Sequence, residues 1–188
     1  MRINKKKFIY LISPNKIINN NFYEDLIKVF KSKKVGFFQL RLKNAKMKNL
    51  VLIGKKVKKI CKKFNVKFII NDNPFLAKKL NADGCHLGQN DMDIRKARII
   101  LKNKIIGITC HNSIKLARNA IINNADYLAF GAFFSSKTKK TRFHAKINIL
   151  HSINKITRTP LVAIGGINSK NYKKLLLNKA NFLAISGY

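Results

Sequence analysis

KFIINDNPFLAKKLNADGCHLGQND, residues 67–91, sets the architecture. Residues 67–70 are a short apolar run with a β-branched centre, the pattern of a buried strand. Asn71 and Asp72 end it. A helical segment over 75–80 follows, and Asn81-Ala82-Asp83-Gly84 turns the chain. A second apolar piece, 85–87, ends in Gly88, Gln89, Asn90 and Asp91. Two strands joined through one helix lie parallel and adjacent, so their C-terminal ends share one edge of a sheet. Asp72 and Asp91 are therefore expected side by side. Two carboxylates there suit a hard divalent cation bound together with a phosphorylated ligand. The competing reading is that each caps a helix, since Asp72 precedes Asn73-Pro74 and Asp91 precedes Met92-Asp93. Taken together, and facing basic residues, the pair favours the metal.

The same alternation extends both ways. Further strands are expected over 8–13, 35–41, 105–109, 127–130, 160–164 and 182–185. Helices are expected over 22–33, 48–64, 94–101, 113–123, 147–156 and 170–177, with Asn112 capping one and Asn168 or Ser169 another. Eight strands alternating with seven helices predict an α/β fold, a closed TIM (β/α)₈ barrel forming a single domain over residues 1–188. An open doubly wound sheet is disfavoured, because no Gly-rich phosphate turn follows the first strand. The final C-terminal helix is lacking, and the chain is shorter than the roughly 200 residues usual for this fold. An apolar seam is expected on that side, covered by a second subunit in a homo-oligomer or left as a weak point.

Composition narrows the partners. Hydrophobic residues make up 46%, which excludes a disordered chain. Lys and Arg number 40 against 7 acids, for a net charge of +33. Such charge can mark a nucleic-acid partner. Here the lysines are scattered over every helix, and Lys, Asn and Ile are over-represented together, which points to compositional bias rather than a binding patch. Cys61, Cys85 and Cys110 have no metal-type spacing and read as the reduced thiols of a cytoplasmic protein. The apolar run 8–12 stops at Pro14, too soon for a signal sequence, and no stretch approaches the roughly 18 apolar residues of a membrane span.

In such a barrel the chemistry sits at the C-terminal strand ends. Polar residues gather there: Gln39, Arg41 and Lys43 after the second strand, Asn71 and Asp72 after the third, His86 to Asp91 after the fourth. Thr109 and His111 follow the fifth, Ser136, Thr138 and Lys139 the sixth, Gly165 and Gly166 the seventh, and Ser186 the eighth. Arg41, Lys43 and Lys139 offer a planar fork and two point charges for a diphosphate. Gly165-Gly166 would let backbone N–H groups approach a phosphate closely, or simply make a tight turn. Oxygen ligands without thiolates match Mg2+ better than zinc at Asp72 and Asp91. His86, on an apolar strand, reads as a satisfied core residue making a minor ligand contact, and His111 as a residue able to move protons.

QLRLK at 39–43, IIND at 69–72, ADGCHLGQND at 82–91, IGITCHN at 106–112, FGAFFSSKTK at 130–139, VAIGGIN at 162–168 and AIS at 184–186 occur in order. In these motifs the chain resembles the thiamine phosphate synthase family, related to the thiazole tautomerase, from the first strand to the last residue. The resemblance implies a transferase that joins a hydroxymethylpyrimidine diphosphate to a thiazole phosphate, releasing pyrophosphate with Mg2+. It implies that Asp72 and Asp91 hold the metal. Gln39, Arg41, Lys43, Asn71, Thr109 and Lys139 would hold the pyrimidine diphosphate, with Leu40 and Leu42 in the same segment. Ser136, Lys137, Thr138, Gly166, Ile185 and Ser186 would line the thiazole phosphate side, and Arg41, Lys43, Thr109 and Lys139 would assist the chemistry. Leu42 stands where an acidic residue is common, Thr109 replaces a serine, and Ser135-Ser136 replace Pro-Thr. A tautomerase would not need Asp72, Asp91 or Lys139. A nucleic-acid-binding protein would need a contiguous basic face with exposed aromatics, whereas the phenylalanines here fall on apolar faces.

Overall fold

The structure, a computed structural model, describes residues 7–17, 19, 21–135 and 142–186. Ser136, Lys137, Thr138 and Lys139 lie outside the described residues. The chain runs β1 (Ile9–Ile12), α1 (Asn21–Lys31), β2 (Val35–Leu40), α2 (Met47–Lys63), β3 (Lys67–Asn71), α3 (Pro74–Lys79), β4 (Gly84–Leu87) and α4 (Ile94–Leu101). It continues through β5 (Ile105–His111), α5 (Ile114–Ile122), β6 (Tyr127–Gly131), α6 (Asn148–Ile156), β7 (Leu161–Ile164), α7 (Tyr172–Leu177) and β8 (Phe182–Ile185). Every strand is parallel to its sequence neighbours, and β8 pairs with β1 to close the barrel. This is the expected (β/α)₈ barrel. No helix follows β8 among the described residues.

Period-two alternation splits the strand side chains into two apolar layers. Tyr10, Phe37, Ile69, Tyr127, Val162 and Phe182 fill the barrel interior. Phe38, Phe68, Cys85, Ile106, Leu128 and Leu183 pack outward beneath the helices. The interior is crowded with rings: Tyr10 stacks on Phe37 at 5.3 Å, and Phe37 meets Phe182 edge-on at 4.9 Å. Gly107 makes this possible, since a Cβ there would lie 1.8 Å from Tyr127 Cζ. On β1 the outward Ile9 and Leu11 are partly buried, whereas all of β2 and the outward Leu183 of β8 are buried.

The N-terminal end of the barrel is held by one device used three times. Asp83, just before β4, donates its N–H to Phe68 O and accepts the Phe68 N–H on Oδ2 at 2.9 Å. Asp126, before β6, makes the same pair with Ile106, its Oδ2 accepting at 2.8 Å. Asn181, before β8, repeats it with Leu161, its Oδ1 accepting at 2.7 Å. Each pair satisfies strand-end backbone groups that would otherwise lack partners. Arg98 reinforces one of them with a 2.7 Å bond to Asp126.

Two cap expectations are corrected. Ser113, not Asn112, caps α5 by accepting from Leu116 N. Asn112 instead accepts from Lys146 N across the loops. The residue before α7 is Asn171, because Asn168 turns the chain through its own bond to Lys170 N.

Candidate active site

A cavity of about 720 Å³ opens at the C-terminal ends of the strands. Its floor continues the inward positions of the barrel: Phe37 leads to Gln39 and Arg41, Ile69 to Asn71, and Gly107 to Thr109 and His111. Val162 likewise leads to Ile164 and Gly166, and Phe182 to Ala184 and Ser186. Strand parity therefore delivers most of the site.

Asp72 breaks that parity. In an extended strand the residue after Asn71 would face the helices. Asp72 has φ 62°, a left-handed conformation, and lines the cavity instead. Its N–H donates to His86 O at 2.8 Å, which ties the end of β3 to β4. The helix-cap roles fall to neighbours: Asn73 accepts from Leu76 N at the start of α3, and Asp93 accepts from Arg95 N at the start of α4. Asp72 and Asp91 are thus released from capping. Asp91 accepts from Gly88 N at 2.6 Å, a bond closing the turn after β4.

Burial, together with the facing Asp91 carboxyl, raises the Asp72 pKa to about 6, against the opposing pull of Arg41 and Asn71. Both carboxyls line the one cavity. A like-charge pair with oxygen donors alone fits a hard cation such as Mg2+. Among the described residues no cluster of three or more His, Cys, Asp or Glu side chains could hold a metal. The pair would therefore supply two ligands, leaving the others to ligand oxygens and water.

The facing basic residues are held by the loop after β1. The Arg41 guanidinium donates to Asn15 Oδ1 at 2.7 Å, and Arg41 N donates to Ser13 Oγ at 2.8 Å. Lys43 N donates to Asn15 O at 3.1 Å. Gln39 is 3% exposed and lines the cavity, and its Nε2 has no partner among the described residues. A buried amide donor without a partner is costly unless a ligand accepts from it.

His86 is a satisfied core histidine, as expected, and it also lines the cavity. Its Nε2 lies 2.9 Å from Thr109 Oγ1 and its Nδ1 3.0 Å from Tyr127 Oη. Tyr127 Oη in turn lies 2.8 Å from Tyr10 Oη. Burial lowers the His86 pKa to about 4. The Gln89 side-chain amide donates to Thr109 O. His111, also at positive φ, stacks on Phe143 with ring centroids 3.8 Å apart.

The structure brings Gln39, Arg41, Lys43, Asn71, Asp72, Asp91, Thr109, Gly166, Ile185 and Ser186 to one cavity. Leu40 and Leu42 are not among its lining. They pack into the core behind β2 and border a second cavity of about 110 Å³ on the other side of Asp72. Gly166 (φ 60°) packs closely on the loop after β6, where a Cβ would lie 2.2 Å from Ser135 O. Sequence reasoning missed Ser13, Asn15, Arg142, Phe143 and the Tyr10–Tyr127 pair. Ser13-Pro14-Asn15 follows a strand as the other site segments do, so the same rule applied to β1 would have found it. The tyrosines carry no such signal, because they read as core.

Residues 9–187 match the family described as thiamine monophosphate synthase. A thiamine-phosphate synthase from Pelagibacter ubique is 68% identical over 190 residues, covering 100% of this chain and 92% of that protein. A thiamine-phosphate synthase from Fusobacterium nucleatum is 42% identical over 165 residues, 87% of this chain and 79% of the relative. Among solved structures, a thiamine phosphate pyrophosphorylase from Pyrococcus furiosus superposes with a TM-score of 0.84 at 29% identity, over 97% of this chain and 86% of that one.

Proposed function

The chain belongs to the thiamine monophosphate synthase family, and from that we infer that its cavity joins 4-amino-5-hydroxymethyl-2-methylpyrimidine diphosphate to 4-methyl-5-(2-phosphooxyethyl)thiazole. The bond between the pyrimidine methylene carbon and the diphosphate oxygen breaks, and its electron pair leaves with pyrophosphate. The thiazole nitrogen lone pair then forms the new carbon–nitrogen bond, giving thiamine phosphate. The observation that carries this reading is the meeting of Asp72 and Asp91 beside Arg41 at the mouth of the barrel.

Each residue has a task in this proposal. Asp72 and Asp91 hold Mg2+, which when bound supplies positive charge where the leaving diphosphate gathers negative charge. Arg41, Lys43 and Lys139 hold the diphosphate and stabilise the charge it gains as it departs. Gln39, Asn71 and Thr109 orient the pyrimidine with hydrogen bonds; the unpartnered Gln39 amide is suited to a ring or amino substituent. Ser136, Lys137, Thr138, Gly166, Ile185 and Ser186 form the thiazole phosphate side. Leu40 and Leu42 serve as the packed backing of the Gln39–Lys43 segment.

The test is pyrophosphate release from the purified chain with both reactants and Mg2+, repeated with a chelator. Release is expected only when both reactants and the ion are present. Release without the thiazole phosphate at the same rate would mean a hydrolase, and full turnover in chelator would remove the metal assignment.

A further inference from the structure

The chain of groups beneath the cavity has only one direction in which every buried donor is used. Tyr10 is 2% exposed and Tyr127 1%, so neither hydroxyl can turn to solvent. Among the described residues the Tyr10 O–H has one acceptor, the Tyr127 oxygen at 2.8 Å. With Tyr10 donating, Tyr127 sends its own hydrogen to His86 Nδ1 at 3.0 Å. Nδ1 then acts as acceptor, and the ring proton sits on Nε2. That N–H donates to Thr109 Oγ1 at 2.9 Å. Reversed, or with a doubly protonated ring, the relay leaves one hydrogen, that of Tyr10 or that of Tyr127, buried without an acceptor among the described residues, which folded proteins avoid.

In the retained direction the Thr109 hydroxyl accepts from within the barrel, so its hydrogen is left for the cavity that Thr109 lines. The relay is built into the core. Tyr127 lies parallel to the His86 ring, at 5.6 Å and 9°, in space that Gly107 leaves open.

We propose that Tyr10, Tyr127 and His86 are positioning residues that fix the Thr109 hydroxyl as a donor, so that this point of the cavity selects an acceptor atom of the pyrimidine diphosphate. The proposal rests on the reading of Thr109 as a contact to that substrate. It makes Thr109 a directional group, rather than a hydroxyl free to donate or accept.

Two measurements test it. The first is the ring-nitrogen shifts of the chain labelled with nitrogen-15 histidine. The other three histidines are removed in turn as His111→Gln, His144→Gln and His151→Gln to assign His86. The Nε2–H tautomer is expected; the Nδ1–H tautomer or an imidazolium at neutral pH overturns the proposal.

The second is a cycle of Thr109→Val, Tyr127→Phe and the double variant, read as KM for the pyrimidine diphosphate against kcat. Thr109→Val is expected to raise KM about tenfold, the size of one hydrogen bond, and Thr109→Ser to restore it. Tyr127→Phe should raise KM in the parent but add nothing in the Thr109→Val background. Equal effects in both backgrounds would make the tyrosines purely structural and overturn the relay. An unchanged KM in Thr109→Val would instead overturn the substrate contact, so the two failures are distinct.

Discussion

The two ends of this barrel use the same side-chain chemistry for opposite purposes. At the N-terminal end Asp83, Asp126 and Asn181 each accept a strand N–H, and Asp83 and Asp126 also meet Lys67 and Arg98. At the C-terminal end Asp72 and Asp91 face one another, and the Asp72 carboxyl is destabilised as an anion by burial and by its neighbour. The chain has only 7 acidic residues. Spending two of them on mutual repulsion in a strongly basic protein makes sense only for a function, since a satisfied carboxylate stabilises the fold and a repelled one does not. On the proposed reading, stability is built at one end and reactivity at the other.

That division can be broken most decisively at the mouth. Asp72→Asn is expected to lower kcat/KM about a thousandfold, the scale of losing a charge-stabilising group, with the melting temperature unchanged or slightly raised. Steady-state pyrophosphate release and a thermal melt check both halves; a large fall in melting temperature would place Asp72 with the structural carboxylates. At the other end, Asp126→Ala removes a bond to a strand N–H and the partner of Arg98. It should cost about 2–3 kcal/mol in urea unfolding while kcat/KM per folded molecule holds.

His86 lies between the two ends and sharpens the comparison through pH. Its pKa is 6.5 as an ordinary side chain and about 4 in the fold, because burial favours the neutral ring. Below 6.5 the unfolded chain takes up a proton that the folded one refuses. The stability this group contributes is therefore full above pH 6.5 and falls as pH drops toward 4, by up to about 1.4 kcal/mol per pH unit. His86→Asn should flatten that slope in urea titrations run across the window; an identical slope would mean the ring is already charged. The smallest effect is expected from Asn181→Ala, about 1 kcal/mol by the same unfolding measurement. The neutral amide there has no ion-pair partner, and one hydrogen bond is all that is lost.

Much of the site was legible because it lies at strand ends. Gln39, Arg41, Asn71, Thr109, Gly166 and Ser186 all sit where a parallel strand gives way to a loop, and strand parity carries them inward. Leu40 and Leu42 show the limit of a contiguous motif, because alternate residues of one segment face opposite sides. Caps were less legible. Asp72 and Asn73 are adjacent and chemically similar, Asp91 and Asp93 are one residue apart and identical, and either member of each pair suits a helix start by type alone. The left-handed turn at Asp72 and the bond from Gly88 to Asp91 settle which one caps and which one faces the cavity.

Alternating short apolar runs and amphipathic helices committed this chain to a closed parallel barrel, and the order of its polar strand ends committed it to a family. Both are near-neighbour properties, with repeats of two and 3.6 residues that can be read along the chain. The pairing of Tyr10 with Tyr127, the grip of Asn15 on Arg41 and the facing of Asp72 and Asp91 were decided only when the barrel closed. A hydrogen bond requires two atoms within about 3 Å, and for groups far apart in the chain that distance is set by strand register.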